Sequence, residues 1–249
     1  MDKIAAVCYT DRGKVVLRMK SEKTVIAGIP ALIWGESSER AYLHVHGKQS
    51  RKEYAEPFAI MAERKGFQTV SFDLPEHGER SDNTEYRCDI WNGMRDLETV
   101  SGWMDERWKS LSLYGCSLGA YFSLNAFADR KFDRCLLQSP IVDMDELARN
   151  MMLWFGVTEE RLEREGEIPT PVDPLRWDYL QYVRAHPVAR WDSPTFILYG
   201  AKDDMQSRGT VAGFARRFGC DLTISETSAH PFMEKEDAPI VENWLKRCL

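Results

Sequence analysis

One five-residue pattern in this sequence could hold a catalytic nucleophile. Residues 115–119 read Gly-Cys-Ser-Leu-Gly and separate two apolar runs, 111–114 and 120–122. A glycine on each side of Ser117 suits a sharp strand-to-helix turn that exposes a serine hydroxyl in an unfavourable backbone conformation. The N–H groups of the following helix would favour a developing anion there. The pattern alone also fits a turn of small residues that only packs the core.

A serine nucleophile needs a base, and the base needs an acid that orients it. Of the five histidines, His230 is the candidate because it follows the last predicted strand and precedes the final predicted helix. Asp203 follows the strand predicted at 195–200, and its neighbour Asp204 competes for the same role. The order serine, aspartate, histidine along the chain is that of the α/β-hydrolase triads.

The tetrahedral intermediate of such chemistry needs N–H donors for its oxyanion. One donor is expected at Leu118, directly after the serine. The second is expected at Lys48, in the turn after the strand predicted at 41–47, which ends in His46 and Gly47. The alternative is that His46 and Gly47 simply end a strand.

All these candidates lie where predicted strands end. Strands are predicted at 14–19, 24–34, 41–47, 67–75, 111–115, 133–140, 195–200 and 221–226, and helices at 54–65, 89–108, 117–128, 206–218 and 235–248. A polar turn at 20–23 is expected to join the first two strands. Single helices between strands predict an α/β fold with a mostly parallel, doubly wound sheet. Ligands collect at the carboxyl edge of such a sheet.

Residues 141–193 interrupt this alternation, because no strand is predicted between Pro140 and Pro194. We expect a helical cap there, inserted into a core formed by residues 1–140 and 194–249. Apolar side chains of the cap either pack it onto the core or line a substrate pocket. The pocket candidates are Met151, Trp154, Phe155 and Tyr179. The acidic run at 158–167 suits either a peptide amino terminus or a solvated helix face.

Composition narrows the function classes. The chain has 249 residues, is 43% hydrophobic and has a formal net charge of −6, which predicts one sizeable core and no nucleic-acid partner. No segment resembles a signal peptide or approaches the roughly 20 apolar residues of a membrane span, so a cytoplasmic protein without a membrane partner is expected. The six cysteines are scattered, which favours reduced thiols and no metal site. The oligomeric state is left open.

The sequence resembles the α/β-hydrolase superfamily over essentially its full length, and within it the capped serine hydrolases. The resemblance rests on His46-Gly47, 73-DLPEHGERS-81, the pattern around Ser117, the spacing from Gly200 to Asp203, and His230. It implies a Ser–His–acid triad, a helical lid after the sixth strand of the sheet and no cofactor. Two features differ from relatives: no second glycine follows Gly47, and an alanine precedes His230 where many relatives have glycine.

The expected function is that of a carboxylesterase-like serine hydrolase acting on a small-molecule ester. Ser117 would attack the acyl carbon, His230 would act as the base, and Asp203 would orient the imidazole. A serine at the centre of the turn argues against a dehalogenase of this fold, which has an aspartate there, and Cys116 lies beside the nucleophile position. A thioesterase or a small-peptide peptidase would use the same triad. A non-enzymatic binding protein of this fold usually has a broken one.

Overall fold

Helices and strands alternate along most of the chain in the computed structural model, which describes residues 9–11, 14–16 and 19–249. The strands are β1 (Tyr9–Asp11), β2 (Lys14–Val16), β3 (Ser21–Ile26), β4 (Ile29–Trp34), β5 (Arg40–Val45), β6 (Gln68–Phe72), β7 (Ser110–Cys116), β8 (Cys135–Gln138), β9 (Glu167–Ile168), β10 (Leu175–Arg176), β11 (Thr195–Gly200) and β12 (Asp221–Ser225). The helices are α1 (Glu56–Glu63), α2 (Ile90–Asp105), α3 (Leu118–Ala126), α4 (Met144–Phe155), α5 (Glu159–Glu165), α6 (Trp177–Ala185), α7 (Arg208–Phe218) and α8 (Ala238–Cys248). Short 3-10 turns lie at Lys52–Ala55, Gly78–Arg80 and Lys235–Asp237.

The predicted mostly parallel sheet is confirmed. Eight strands pair in the order β12-β11-β8-β7-β5-β6-β4-β3. The run from β12 to β6 is parallel throughout, whereas β4 and β3 join it antiparallel. The carboxyl ends of β5, β7, β11 and β12 therefore meet at one edge, and every candidate catalytic residue follows one of these strands.

Both faces of the sheet are covered, and the strand residues show why. Adjacent strand positions point to opposite faces. On β5, Tyr42 packs in the cluster formed with α1 and α8, while Leu43 packs in the larger cluster formed with α2, α3 and α7. Leu113 and Tyr114 divide in the same way on β7. Continuous apolar runs of this kind are typical of strands that are buried on both faces.

The amino-terminal third differs from the sequence prediction. The segment 24–34, predicted as one strand, contains two strands, β3 and β4, that form an antiparallel hairpin. The chain reverses at Ala27 and Gly28, whose φ angles of 48° and 89° suit a tight hairpin turn. Residues 21–23 belong to β3, so the polar turn predicted at 20–23 is wrong. The strand predicted at 14–19 includes β2, and residues 17–18 of that prediction lie outside the described residues.

The segment 141–193, predicted as an inserted helical cap, carries α4, α5 and α6. It contains an apolar cluster that includes Met152, Leu162 and Leu180, while Met144 and Val183 pack in the main core. We keep the name cap for this segment, and its division from the core as a separate domain stays a prediction.

We predicted that this segment contains no strand, and that prediction is wrong. Two-residue strands β9 and β10 pair antiparallel between α5 and α6. Strands this short leave no periodic signal in the sequence. Across the described residues, no helix combines the length and the apolar character that a membrane crossing requires.

Candidate active site

Ser117 occupies a strained turn between β7 and α3. Its φ and ψ angles are 50° and −119°, a region that residues with a side chain rarely adopt. Four backbone hydrogen bonds hold this conformation. The Ser117 N–H donates to the Gln138 carbonyl at 3.1 Å, and the Ser117 carbonyl accepts from Ala120, Tyr121 and Ile141 at 3.1–3.3 Å. The surrounding backbone therefore stabilises an otherwise unfavourable serine.

Gly119 and Gly47 must lack a side chain because the turn after β5 lies very close to the turn that carries Ser117. A Cβ atom at Gly119 would lie 2.3 Å from the carbonyl oxygen of His46 and 2.6 Å from that of Val45. A Cβ atom at Gly47 would lie 3.0 Å from the Cβ of Ser117. Glycine at both positions lets the turn after β5 pack directly against the serine.

Ser117, His230 and Asp203 form a continuous hydrogen-bonded chain. The Ser117 Oγ lies 2.7 Å from His230 Nε2, and His230 Nδ1 lies 2.8 Å from Asp203 Oδ2. Because Asp203 can only accept, Nδ1 bears the ring hydrogen and Nε2 accepts from the serine hydroxyl. The side chains of His230 and Asp203 are only 8% and 1% exposed, so water screens these contacts weakly.

The structure distinguishes between the two neighbouring aspartates. Asp203 Oδ1 accepts from the backbone N–H groups of Met205 and Gln206 at 2.8 and 3.2 Å, which leaves Oδ2 for the imidazole. Asp204 is exposed and makes no hydrogen bond with His230. The geometry therefore favours Asp203 as the orienting acid.

The loop that carries His230 is fixed on both sides of the histidine. The Lys202 N–H donates to the Ser228 carbonyl at 3.0 Å, and the Phe232 N–H donates to the Ala229 carbonyl at 3.0 Å. The Gln138 side-chain amide donates to the Pro231 carbonyl at 2.9 Å. Gln138 thus connects the histidine loop to the serine turn, a role that nothing in the sequence indicated.

Lys48 and Leu118, the predicted oxyanion donors, lie in the two backbone segments that flank the serine. Leu118 begins α3, and Lys48 follows Gly47 in the turn that packs against Ser117. Neither N–H donates a hydrogen bond to another described residue, so both are free to bind an oxyanion. Their role in stabilising an oxyanion stays a prediction.

Known structures with the same architecture span nearly the whole chain. Est1E from Butyrivibrio proteoclasticus, solved with ferulic acid bound, aligns with a TM-score of 0.71 at 15% identity, covering 91% of this chain and 97% of that one. The Pyrococcus furiosus esterase Pf2001 aligns with a TM-score of 0.65 at 16% identity, covering 92% and 88%. Mouse alpha/beta hydrolase domain-containing protein 10 aligns with a TM-score of 0.69 at 16% identity, covering 92% and 97%.

The chain has the α/β-hydrolase fold. No protein-family model matches the sequence, and no curated protein is similar enough in sequence to count as a match. At identities this low, the structural likeness extends to the fold and no further. The chemistry must be argued from the site.

Cys116 lies beside the nucleophile position of this hydrolase fold but faces the other side of the sheet. Its side chain packs against the cluster formed with α1 and α8. Burial, reinforced by the nearby Asp203 carboxylate, raises the pKa of the thiol to about 12. The thiolate is the nucleophilic form of cysteine, so Cys116 is poorly suited to attack a substrate at neutral pH.

The four cap residues predicted to line a pocket lie in different surroundings. Met151 is buried in the apolar cluster of the cap, and Phe155 packs against the same cluster. Trp154 is 43% exposed. Tyr179 packs against the main core and meets the ring of Trp91 edge-on at 5.8 Å. Packing accounts for Met151, and a pocket role for any of the four stays a prediction.

Ion pairs join the β9–β10 region of the cap to the turn after β5 and to the segment that precedes α2. Lys48 Nζ lies 2.8 Å from an Asp173 carboxylate oxygen, and Arg87 makes a bidentate pair with Glu167 at 2.8 Å. Elsewhere in the acidic run, Glu159 pairs with Arg184 on α6. These partners favour a structural role for Glu159 and Glu167, but Glu160 and Glu163 are exposed and lie in no ion pair among the described residues. Both interpretations of the acidic run, a solvated helix face and a site for a peptide amino terminus, therefore stay open.

Besides Gln138, two residues that connect the site to the rest of the fold were missed by sequence reasoning. Gln206 is fully buried; its amide oxygen accepts from the N–H groups of Val142 and Asp143, and its backbone N–H binds Asp203. It therefore joins the acid loop to the start of the cap.

His77 accepts from the Gln49 N–H at 3.0 Å. His77 lies in the segment 73–81 that supports the family resemblance, so that motif was its only sequence signal.

A buried charge network lies behind the turn that carries Lys48. Lys52 is 1% exposed and Asp73 is 0% exposed, with Lys52 Nζ 2.6 Å from Asp73 Oδ2 and 2.8 Å from Glu79 Oε1. Burial lowers the pKa of Lys52, but its hydrogen bonds with Asp73, Glu79 and Glu53 outweigh this and raise the pKa above its ordinary value. Asp73 also accepts from the backbone N–H groups of Lys52 and Glu79 at 2.9 and 3.0 Å, so it ties two loops together.

Replacing Lys52 with methionine is expected to lower the free energy of unfolding by about 3–5 kcal/mol, because the Asp73 carboxylate would stay buried without its cation. Urea unfolding followed by circular dichroism measures the change. Lys246→Met, which removes a lysine from an exposed ion pair on α8, is the matched control and should leave the urea midpoint unchanged. Equal midpoints for wild type and Lys52→Met would contradict this account of the network.

Proposed function

We propose that the protein is a serine hydrolase that cleaves carboxylic esters through an acyl-enzyme. The observation that carries the proposal is the Ser117–His230–Asp203 chain, with its 2.7 and 2.8 Å contacts, at the carboxyl edge of the sheet. Three loops that lie far apart along the chain supply these residues, and a packing turn would not require that convergence. The esterases Est1E and Pf2001 share the fold, which supports ester hydrolysis as the first activity to test.

Each step of the proposed reaction has a residue to perform it. Ser117 Oγ attacks the acyl carbon while its proton passes to His230 Nε2, and the carbonyl oxygen becomes an oxyanion bound by the Lys48 and Leu118 N–H groups. The intermediate collapses, the C–O bond to the alcohol breaks, and His230 returns the proton to the departing alcohol. Water, deprotonated by His230, then attacks the acyl carbon, the bond from that carbon to Ser117 Oγ breaks, and His230 returns the proton to Oγ as the carboxylic acid leaves. Asp203 holds the imidazole tautomer throughout.

The same triad could cleave thioesters or short peptides, so these remain the alternative activities. Glu159 and Glu167 already pair with arginines, so the exposed Glu160 and Glu163 are the carboxylates of the acidic run that a peptide amino terminus would use. A non-enzymatic binding role is the least favoured, because it gives no reason for an intact triad. That the protein acts on small molecules in the cytoplasm stays a prediction from the sequence.

Two measurements on the purified protein test the proposal. A fluorophosphonate probe should label one serine, and p-nitrophenyl esters from acetyl to long-chain acyl, together with methyl ferulate, should be hydrolysed with saturation kinetics. Methyl ferulate is included because Est1E binds ferulic acid. Labelling without ester turnover, but with acyl-CoA or amino-acid p-nitroanilide turnover, would transfer the proposal to the alternatives. No labelling and no turnover would overturn it.

A further inference from the structure

The turn that carries Lys48 is held by two buried histidines that lie outside the triad. His46 is 2% exposed and His77 is 7% exposed, and their ring centroids are 5.2 Å apart. Each ring uses both nitrogens in a hydrogen bond with the backbone. The two rings thus connect the backbone of the turn, at Gly47 and Gln49, to the backbone of Leu74 and Pro75.

His46 controls the peptide unit on which the Lys48 N–H lies. The Leu74 N–H donates to His46 Nε2 at 3.1 Å, so Nε2 is the acceptor and Nδ1 bears the hydrogen. His46 Nδ1–H then donates to the Gly47 carbonyl oxygen at 2.8 Å. A trans peptide is planar, and its C=O and N–H point in opposite directions. Fixing the Gly47 carbonyl therefore fixes the direction of the Lys48 N–H.

His77 holds the other end of the same turn. The Gln49 N–H donates to His77 Nε2 at 3.0 Å, and His77 Nδ1–H donates to the Pro75 carbonyl at 2.7 Å. Gln49 has a φ of 58°, a left-handed conformation that is unfavourable for a residue with a side chain. The bond to His77 helps to stabilise this conformation, so the backbone is held on both sides of Lys48.

Both rings must be neutral to accept from a backbone N–H, and their surroundings favour that state. Burial lowers the pKa of His46 to about 4 and also lowers the pKa of His77 below its ordinary value. Gly47 brings this turn against the nucleophile, since a Cβ atom there would lie 3.7 Å from Ser117 Oγ. Neither ring makes a hydrogen bond with Ser117, and all four hydrogen bonds of the two rings are made with backbone groups.

We infer that His46 and His77 are positioning residues that hold the Gly47–Lys48–Gln49 backbone so that the Lys48 N–H faces the oxyanion. This inference rests on the proposed function. The leaving group is irrelevant to it, because esters, thioesters and amides all form the same oxyanion. It assigns a part in the reaction to two histidines that lie outside the triad.

The test measures steady-state kinetics of His46→Ala, His77→Ala and His46→Asn on the best substrate of the wild type. Losing one oxyanion donor typically costs about 10²- to 10³-fold in kcat, and misdirecting it should cost part of that. We expect kcat to fall about 10- to 100-fold in His46→Ala and about 10-fold in His77→Ala, with KM within about twofold. An asparagine side-chain N–H can take the place of Nδ1–H, so His46→Asn should recover most of the lost kcat.

A second readout distinguishes positioning from general packing. A trifluoromethyl ketone adds to the serine to form a stable oxyanion, so its inhibition constant should rise in each variant by the same factor as kcat/KM falls. His44→Ala is the matched control, because His44 is a buried histidine of β5 that stacks on Tyr114 and makes no hydrogen bond with the turn. Its kcat should stay within about threefold of wild type.

Failure of the inference and failure of the proposed function are distinguishable. A wild-type protein without hydrolytic activity on any of the substrates above would sink the proposed function. An active wild type whose His46→Ala variant keeps its kcat would overturn the inference alone, as would an equal loss in His44→Ala. If His46→Ala fails to fold, His77→Ala provides the test: an unchanged kcat and an unchanged inhibition constant for the trifluoromethyl ketone in that variant would overturn the inference.

Discussion

Replacing Ser117 with alanine is expected to lower kcat/KM for p-nitrophenyl acetate by about 10³- to 10⁶-fold, because the attacking oxygen is removed. Urea unfolding should change little. Among the described residues the serine side chain makes a hydrogen bond only with His230, and the backbone bonds that hold the strained turn do not involve the hydroxyl. Fluorophosphonate labelling should disappear in the same variant.

Ser139→Ala provides a close control for this experiment. Ser139 is also a buried serine with a positive φ, 42°, and it follows β8, the strand next to β7. Its hydroxyl has no hydrogen-bond partner among the described residues. We expect Ser139→Ala to keep turnover within about threefold of wild type. Wild-type turnover in Ser117→Ala, or an equal loss in both variants, would refute nucleophilic attack by Ser117.

Replacing Asp203 with asparagine is expected to lower kcat by about 10⁴-fold, because the imidazole adopts the wrong tautomer. An asparagine amide can donate to His230 Nδ1, and the ring hydrogen then lies on Nε2. Nε2 can no longer accept the proton of the Ser117 hydroxyl, so the serine is not activated. The amide oxygen of the new residue can still accept from Met205 and Gln206, so the loop should keep its shape. Stopped-assay kinetics and the rate of fluorophosphonate labelling measure the loss.

Asp204→Asn is the matched control, since it makes the same chemical change one residue further along the chain. Asp204 is exposed and makes no hydrogen bond with His230, so kcat should stay within about twofold of wild type. If Asp204→Asn lost activity while Asp203→Asn kept it, the assignment of the acid would be reversed. Equal, small effects in both variants would show that the imidazole needs no carboxylate partner here.

Local signals explain most of what could be predicted about the fold. The glycines around Ser117 and the periodic runs that became β5, β7, α2 and α3 are patterns of neighbouring residues, and the order of strands and helices follows from them. The hairpin turn at Ala27 and Gly28 was missed because alanine rarely adopts a positive φ and so does not indicate such a turn. The β9–β10 ladder was missed because two residues carry no alternation.

The candidate site divides along similar lines. Ser117, Asp203 and His230 could be chosen from the sequence because each follows a strand, and parallel strands end at one edge of the sheet. Choosing between Asp203 and Asp204 required coordinates, because adjacent residues in a loop differ only in where their side chains point. The same holds for the Lys48 N–H, whose direction depends on a hydrogen bond to the carbonyl of the preceding residue.

The sequence alone was sufficient to specify the alternating elements, the strained serine turn and the residue types of a triad, since these depend on interactions between near neighbours. Tertiary structure decided which polar groups meet. Gln206 joins the acid loop to the cap, Lys52 neutralises Asp73, and His77 supports a turn 28 residues away along the chain. Such contacts leave no pattern in the sequence, because folding brings together groups whose separation along the chain follows no rule.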